Sequence, residues 1–467
     1  MNEENLNFIK EKFKGNVDVK YRVVECENGT INMIFIDNLC DSKFISEYIV
    51  APILLNKNHI KGISDLKNNS LFAFSIGDVK DRTDAALHIL SGDVVIVADF
   101  FEKMMFCEAK GFVRRSVGIP ITEGVIKGPR EGFTEAFVDN ISLIRRKIKN
   151  ENLKFESVYL GEKSQTVVVV AYLKGIAPER LVNIVKSKVK QINVEYLLES
   201  NYIEDKLKNK KTVFDTVGYS EKADVVANEI LSGKVGVIVD GTPFVVTAPY
   251  FFYENFQAAD DYYLNKYFVN FSRIVRWIAF FIAMFAPALY IAITTYNFAV
   301  IPSTFIFRLS LSRAGIPFPT VIELYIMMFS FQVLREAGIR LPQPVGQAIG
   351  IIGGLILGES AVGAGLASEI TIIIVALSSI SSFLVPKLYG AIAIWSPIMV
   401  LFAAFCGLPG FYIGVCVLIA HLGSLKSIDY PYIFPIGTPR RVKSNDEILR
   451  GDLDNIYGDS LKGGDGK

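Results

Sequence analysis

The chain has 467 residues, 51% hydrophobic and 21% charged, with a formal net charge of +1. That length suits two or three domains. The near-zero charge removes a global electrostatic case for nucleic acid, and the apolar content excludes both extensive disorder and an ordinary soluble composition. The charges are unevenly spread: Trp277 to Leu425 holds nine of the 97 Asp, Glu, Lys and Arg residues. A soluble region of roughly 270 residues is therefore expected to precede an apolar, membrane-embedded region and a short polar tail.

In chain order, the opening MNEENLNFIKEKFKG lacks a basic segment leading into an apolar run, so no secretory signal is expected and the N-terminal region is placed in the cytosol. Five scattered cysteines (Cys26, Cys40, Cys107, Cys406 and Cys416) have no metal-ligand spacing and read as small buried hydrophobes. An internal repeat sets the domain count. Asp84 to Asp99 (DAALHILSGDVVIVAD) and Asp224 to Asp240 (DVVANEILSGKVGVIVD) share Ile-Leu-Ser-Gly followed by a β-branched run, which predicts a glycine-capped helix and then a buried strand. Upstream of each, MIFIDNLCDSKFISEYI and VVVVAYLKGIAPERLVNIV read strand, loop, helix. Two similar cytosolic α/β subdomains are expected, at 1–115 and 152–265.

The linker, 116–151, predicts a connecting helix whose stripe is Phe133, Phe137, Ile141, Ile144 and Ile148. Thr134 is its expected polar start, and Arg145, Arg146 and Lys149 answer the dipole at its end. The stripe packs either on its own subdomains or on another copy. No nucleotide-binding, zinc-protease or nucleophile-elbow motif is present, and His59, His88 and His421 suggest neither triad nor metal site. Neither enzymatic activity nor a metal or cofactor is expected.

Residues 266–428 are expected to form a helical membrane domain of four crossings plus amphipathic or re-entrant segments. The crossings are Trp277 to Asn297, Ile370 to Val385, and a hairpin from Leu388 to Leu425 broken at Gly407–Gly410. Pro319 to Leu334 contains Glu323 and ends in Arg335, Glu336 and Arg340, and is expected at an interface or a wet cavity, while Arg308 and Arg313 read as interfacial anchors. Gly346, Gly350, Gly354 and Gly358 recur every four residues, a face for close helix approach within one subunit or between subunits. Gln347, Glu359, Ser360, Glu369 and Thr371 are candidates to line a water-filled ion path. The competing reading pairs Glu359 and Glu369 with Arg335 or Arg340, or leaves them at a membrane surface. Basic residues flank both ends of the domain (Lys266, Arg273 and Arg276; Lys426, Arg440, Arg441 and Lys443), so both termini are placed in the cytosol. The polar tail is 429–467.

Six stretches carry a family resemblance: GPREGFTE (Gly128 to Glu135), SRIVRW (Ser272 to Trp277), PALYIA (Pro287 to Ala292), SRAGIPFP (Ser312 to Pro319), LREAGIRLPQPVGQAIGIIGG (Leu334 to Gly354) and GLPGFYIG (Gly407 to Gly414). The chain resembles the A subunit of GerA-type spore germinant receptors, with SpoVAF a related branch. The resemblance implies an α+β multi-domain integral membrane protein of the spore inner membrane. It further implies a ring-shaped homo-oligomer, a pentamer, acting as a nutrient-gated cation channel beside a transporter-like B subunit and a lipoprotein C subunit. Arg130 and Glu131, in the first stretch, are candidates for coupling the soluble subdomains to the membrane. The alternatives are a secondary transporter and a non-conducting scaffold for a nutrient-binding partner.

Overall fold

The computed structural model describes residues 2–73, 75–111, 123–208, 212–436 and 446–453. Helix α1 (Asn2–Lys12) leads into a hairpin of β1 (Val19–Cys26) and β2 (Gly29–Ile36). Three short helices follow, α2 (Ser42–Phe44), α3 (Ala51–Leu55) and α4 (Ile63–Asp65), then β3 (Ile76–Asp78), α5 (Arg82–Leu90), β4 (Asp93–Ala98) and β5 (Met105–Glu108). The five strands pair antiparallel in the order β1-β2-β4-β5-β3. Central β4 is buried at every residue, which is why its sequence is a continuous β-branched run. Val94, Ile96 and Ala98 meet Ile31, Met33 and Ile49 on one face, while Val95 and Val97 meet Ile9 of α1, Phe13 just beyond it and Ile89 of α5 on the other.

The second unit repeats this plan. After α6 (Phe137–Lys147) come β6 (Leu153–Leu160), β7 (Thr166–Leu173), α7 (Glu179–Lys190), α8 (Asn201–Leu207), β8 (Gly218–Ser220), α9 (Ala223–Leu231), β9 (Val235–Val239) and β10 (Val245–Ala248). Their order, β6-β7-β9-β10-β8, matches the first sheet position for position. The repeated Ile-Leu-Ser-Gly ends α5 and α9. Gly92 (φ 88°) and Gly233 (φ 92°) take the left-handed conformation that closes each helix and turns the chain into the central strand.

The connecting helix α6 spends its stripe inside the chain: Phe133, Ile141, Ile144 and Ile148 pack with Leu153, Phe155, Val169 and Ile230 of the second unit. Its start departs from expectation. The Thr134 hydroxyl has no hydrogen-bond partner among the described residues, and Asp240 Oδ1 instead accepts the Phe137 N–H at 3.3 Å. Arg145 lies in the last turn of α6 as expected, and is in addition fully buried. Its Nε and Nη2 donate to the two Asp18 carboxylate oxygens at 2.9 and 3.1 Å, Nη1 donates to Leu153 O at 3.2 Å, and the guanidinium lies 4.7 Å over Phe155. This pair clasps the first unit to the second.

The apolar half is helical: α10 (Lys266–Ile291), α11 (Ser303–Ser312), α12 (Thr320–Arg340), α13 (Gln343–Gly363), α14 (Glu369–Phe383), α15 (Tyr389–Cys406) and α16 (Leu408–Ser424). Two stretches, Lys266–Tyr296 and Pro386–Cys406, are helices long and apolar enough to cross a membrane. The other two expected crossings are shorter. At 15 and 17 residues, α14 and α16 extend about 22 and 25 Å, against roughly 30 Å of bilayer hydrocarbon. Beyond α16, β11 (Lys426–Ser427) pairs with β12 (Tyr430–Pro431). Ile428, the last residue of the expected membrane domain, instead joins the second unit's core, and parts of the expected polar tail are built into the fold: Tyr432 is buried beside Phe252, and Asp446 and Arg450 return to the base of α10. Residues 437–445, with Arg440, Arg441 and Lys443, and residues 454–467 lie outside the described residues.

Candidate functional site

Among the apolar helices a polar knot forms around Glu323, the sole charged residue between Arg313 and Arg335 in the sequence. A lone carboxylate in an apolar run needs partners, because an uncompensated buried charge is costly. Glu323 sits in the first turn of α12 with its side chain fully buried. Its Oε2 accepts the Ser368 N–H at 3.1 Å and the Thr371 hydroxyl at 3.2 Å. Ser368 caps α14, its Oγ accepting the Thr371 N–H at 3.3 Å, so the carboxylate lies against the positive end of that helix. Tyr290 of α10 adds its hydroxyl 3.1 Å from Thr371 Oγ1. Arg313 reaches from the end of α11, but its Nε stays 3.8 Å from Glu323 Oε1, and both atoms lack a hydrogen-bond partner among the described residues. Arg313 is thus an inward-facing partner of a buried acid rather than the interfacial anchor expected. The knot joins α10, α11, α12 and α14 through a pair that touches without closing.

The five path candidates separate. Thr371 is fully buried in the knot, whereas Glu359 and Ser360 near the end of α13 and Glu369 at the start of α14 are exposed. Among the described residues neither Glu359 nor Glu369 has an ion pair. Arg340 is bound to Glu336 at 2.7 Å, and Arg335 to Ser382 at 2.7 Å. The Gln347 side chain lies outside the described residues. The glycine face divides too. A Cβ on Gly346 would stand 2.4 Å from Gly338 O of α12, so this glycine permits a close backbone crossing inside the chain. Gly350 meets nothing within 4 Å, and Gly354 and Gly358 have only ordinary contacts, at 3.8 Å, with Leu334 and Ile372. Around them Ile352, Leu355 and Ile356 are left exposed.

A second polar cluster lies where the second unit meets α10. Asp261 accepts Arg273 Nε at 2.8 Å and Arg276 Nη1 at 2.9 Å, and Arg450 donates to its carbonyl. Asp446 binds Arg273 Nη1 at 2.7 Å and the Tyr262 hydroxyl at 2.6 Å; burial raises its carboxyl above the usual range although Arg273 opposes the shift. The loop carrying Arg130 and Glu131 threads this junction. Ile126 N–H donates to Asp260 at 3.0 Å, and the buried Lys222 donates to Pro129 O at 2.6 Å. Glu131 pairs with Arg146 and Lys147 of α6, both at 3.2 Å, while Arg130 is exposed. Lys387, just before α15, reaches Glu123 at 3.8 Å, giving the second unit a further tie to the helices.

With both clusters in place, the chain can be set beside known proteins. The family model described as Bacillus/Clostridium GerA spore germination protein matches residues 7–457. The chain belongs to the GerA spore germination protein family. It is 36% identical over 455 residues to the "Uncharacterized membrane protein YfkQ" of Bacillus subtilis (strain 168), covering 96% of this chain and 88% of that protein. It is 35% identical over 441 residues to "Spore germination protein KA" of the same organism (93% and 81%), and 31% identical over 423 residues to "Spore germination protein GerLA" of Bacillus cereus (90% and 86%). Among solved structures, the N-terminal domain of the A subunit of the Bacillus megaterium spore germinant receptor GerK3 aligns with a TM-score of 0.40 at 25% identity, covering 54% of this chain and 95% of that one.

In this GerA-family chain, sequence reasoning missed both the buried position of Glu323 and the Arg145–Asp18 clasp. The first had a readable signal, an isolated acid ten residues from the nearest base. The clasp had none, since its partners are 127 positions apart.

Proposed function

We propose that this chain is the A subunit of a nutrient-gated spore germinant receptor. In this reading it is an integral protein of the spore inner membrane whose copies form a ring, a pentamer, around a cation-conducting path. The family membership and the relatives named as spore germination proteins support the germination role. One observation carries the path: Glu359, Ser360 and Glu369 stand exposed on otherwise apolar helices, with no ion pair for either acid among the described residues. Carboxylates at bilayer depth are tolerated where water or a partner meets them, and repeated around a ring they favour cations over anions. The return of Asp446 and Arg450 to the base of α10 supports a sheet region and C-terminal segment on one side, the cytosolic one, and hence an even number of crossings. Nutrient recognition is assigned to a transporter-like B subunit, with a lipoprotein C subunit completing the receptor. The loop of Arg130 and Glu131 couples the second unit to α10.

Ion flux into vesicles holding the full chain tests this. Passive cation flux that falls several-fold in selectivity in Glu359→Gln, with assembly retained, is the expected result. Unaltered selectivity removes Glu359 from the path. Saturable, substrate-coupled uptake would instead indicate a secondary transporter, and no flux in any form a scaffold.

A further inference from the structure

A cavity of ≈1050 Å³ opens among α12, α13, α14 and α15. Most of its wall is apolar, including Met328, Phe329, Ile339, Leu341 and Ile380. One cation is set into it. The Arg335 guanidinium carbon lies 3.4 Å from the Tyr389 ring centroid and 4.3 Å from that of Phe383, so two aromatic rings hold the cation. Its one hydrogen bond among the described residues runs from Nη1 to Ser382 Oγ, and its Nε is buried with no partner. A guanidinium has five donors, so most of its capacity is unspent. No carboxylate among the described residues lies within ion-pair distance, since Glu336 is held by Arg340. Ser378, Ser379 and Ser396 also line the cavity, and the Ser396 hydroxyl is buried without a partner among the described residues.

Position along the helices narrows the ligand. Tyr389 follows Lys387, which reaches Glu123 beside the second unit, so Arg335 lies toward the end of the helices nearest the sheets. From Ser382 the lining runs back along α14 to Ile372, about 15 Å at 1.5 Å per residue. A rigid, uncompensated fork donor at one end and an apolar trough at the other suit an amphiphile with an oxyanion head. We propose that this cavity binds an anionic phospholipid of the cytosolic leaflet, its phosphate oxygens on Arg335 and its acyl chain along α14. The site rests on the reading that these helices lie in a membrane.

The test uses the full chain reconstituted in phosphatidylcholine vesicles with and without phosphatidylglycerol, followed by native mass spectrometry in detergent. Phosphatidylglycerol should be retained at least about tenfold better than phosphatidylcholine, and inorganic phosphate at equal concentration should not displace it. Arg335→Gln should lose about tenfold or more of that preference, as expected for removing charge-assisted hydrogen bonds, and Arg335→Lys should lose less. Ala376→Phe, which fills the cavity while leaving the cation, should lower retention of both lipids. Equal retention of the two lipids, an unchanged Arg335→Gln ratio in a folded particle, or displacement by phosphate alone would each overturn the lipid site. Failure to float with vesicles of either composition would overturn the membrane reading along with it, whereas flotation with equal retention sinks the lipid site alone.

Discussion

The two sheet units share one strand order and differ in what surrounds them. The second is a hub: α6 and α9 cover one face, Ile428 enters its core from beyond the helices, and its edges hold the Arg130–Glu131 loop and the base of α10. The first is joined to it at one edge, through Arg145–Asp18, the Lys12–Glu151 ion pair and the Val17 N–H on Phe155 O at 3.1 Å, and it leaves Tyr21 and Val23 of β1 exposed. Duplication thus supplied one scaffold twice, and position in the chain decided which copy faces the helices. A topology alone does not say which copy meets the helices; the partners at its edges do.

The largest expected effect comes from cutting the two units apart. Asp18→Ala leaves Arg145 buried without a counter-charge and should cost about 3–5 kcal/mol in denaturant unfolding of the full chain. Asp18→Asn, which keeps an acceptor for one donor, should cost less, and equal losses would mean that the retained acceptor contributes nothing and the lost charge accounts for the whole effect. A middle-sized effect sharpens the contrast between the folded sheets and the open helical face. Gly346→Leu drives a side chain into the Gly338 carbonyl and should lose about 1–3 kcal/mol, whereas Gly350→Leu has room and should stay within about 0.5 kcal/mol. In the proposed ring this glycine lies at a contact between copies, so Gly350→Leu should shrink the detergent particle to a single copy; an unchanged particle size would remove Gly350 from that contact.

The smallest effect is a pH dependence belonging to the second unit. Burial raises the Glu204 carboxyl on α8 from 4.5 to about 7. The folded state therefore holds this proton more tightly than the unfolded one. Its stabilising contribution is complete below about pH 4.5 and fades as pH climbs through about 7. Glu204→Gln should hold its unfolding free energy better than the parent between pH 5 and pH 8, by on the order of 1 kcal/mol at the upper end, read from denaturant unfolding at each pH. Parallel pH curves for the two proteins would show that Glu204 is already ionised in the fold.

Several features were legible from local pattern. The β-branched runs became the central strands β4 and β9, Gly92 and Gly233 closed their helices, and Gly407 separated α15 from α16. The stripe of α6 identified its buried face but not its cap, because Asp240 arrives from a distant strand end. Of the path candidates, Glu359, Ser360 and Glu369 share exposure, whereas Thr371 is claimed by a buried acid 48 residues earlier.

What this sequence determined by itself is whatever repeats over a turn of helix or a pair of strand residues: the duplicated units, the apolar segments and their breaks. Those are properties of neighbours, set by backbone geometry and by the water or apolar surroundings each side chain requires. The tertiary structure alone decided which charges are spent on each other. Arg145 could have been solvated, Arg313 an anchor and Arg335 an ion-pair partner of Glu359 without altering any local pattern. An electrostatic partner is chosen by distance in space, and only the packed chain brings Asp18, Glu323 and the Phe383 and Tyr389 rings to them.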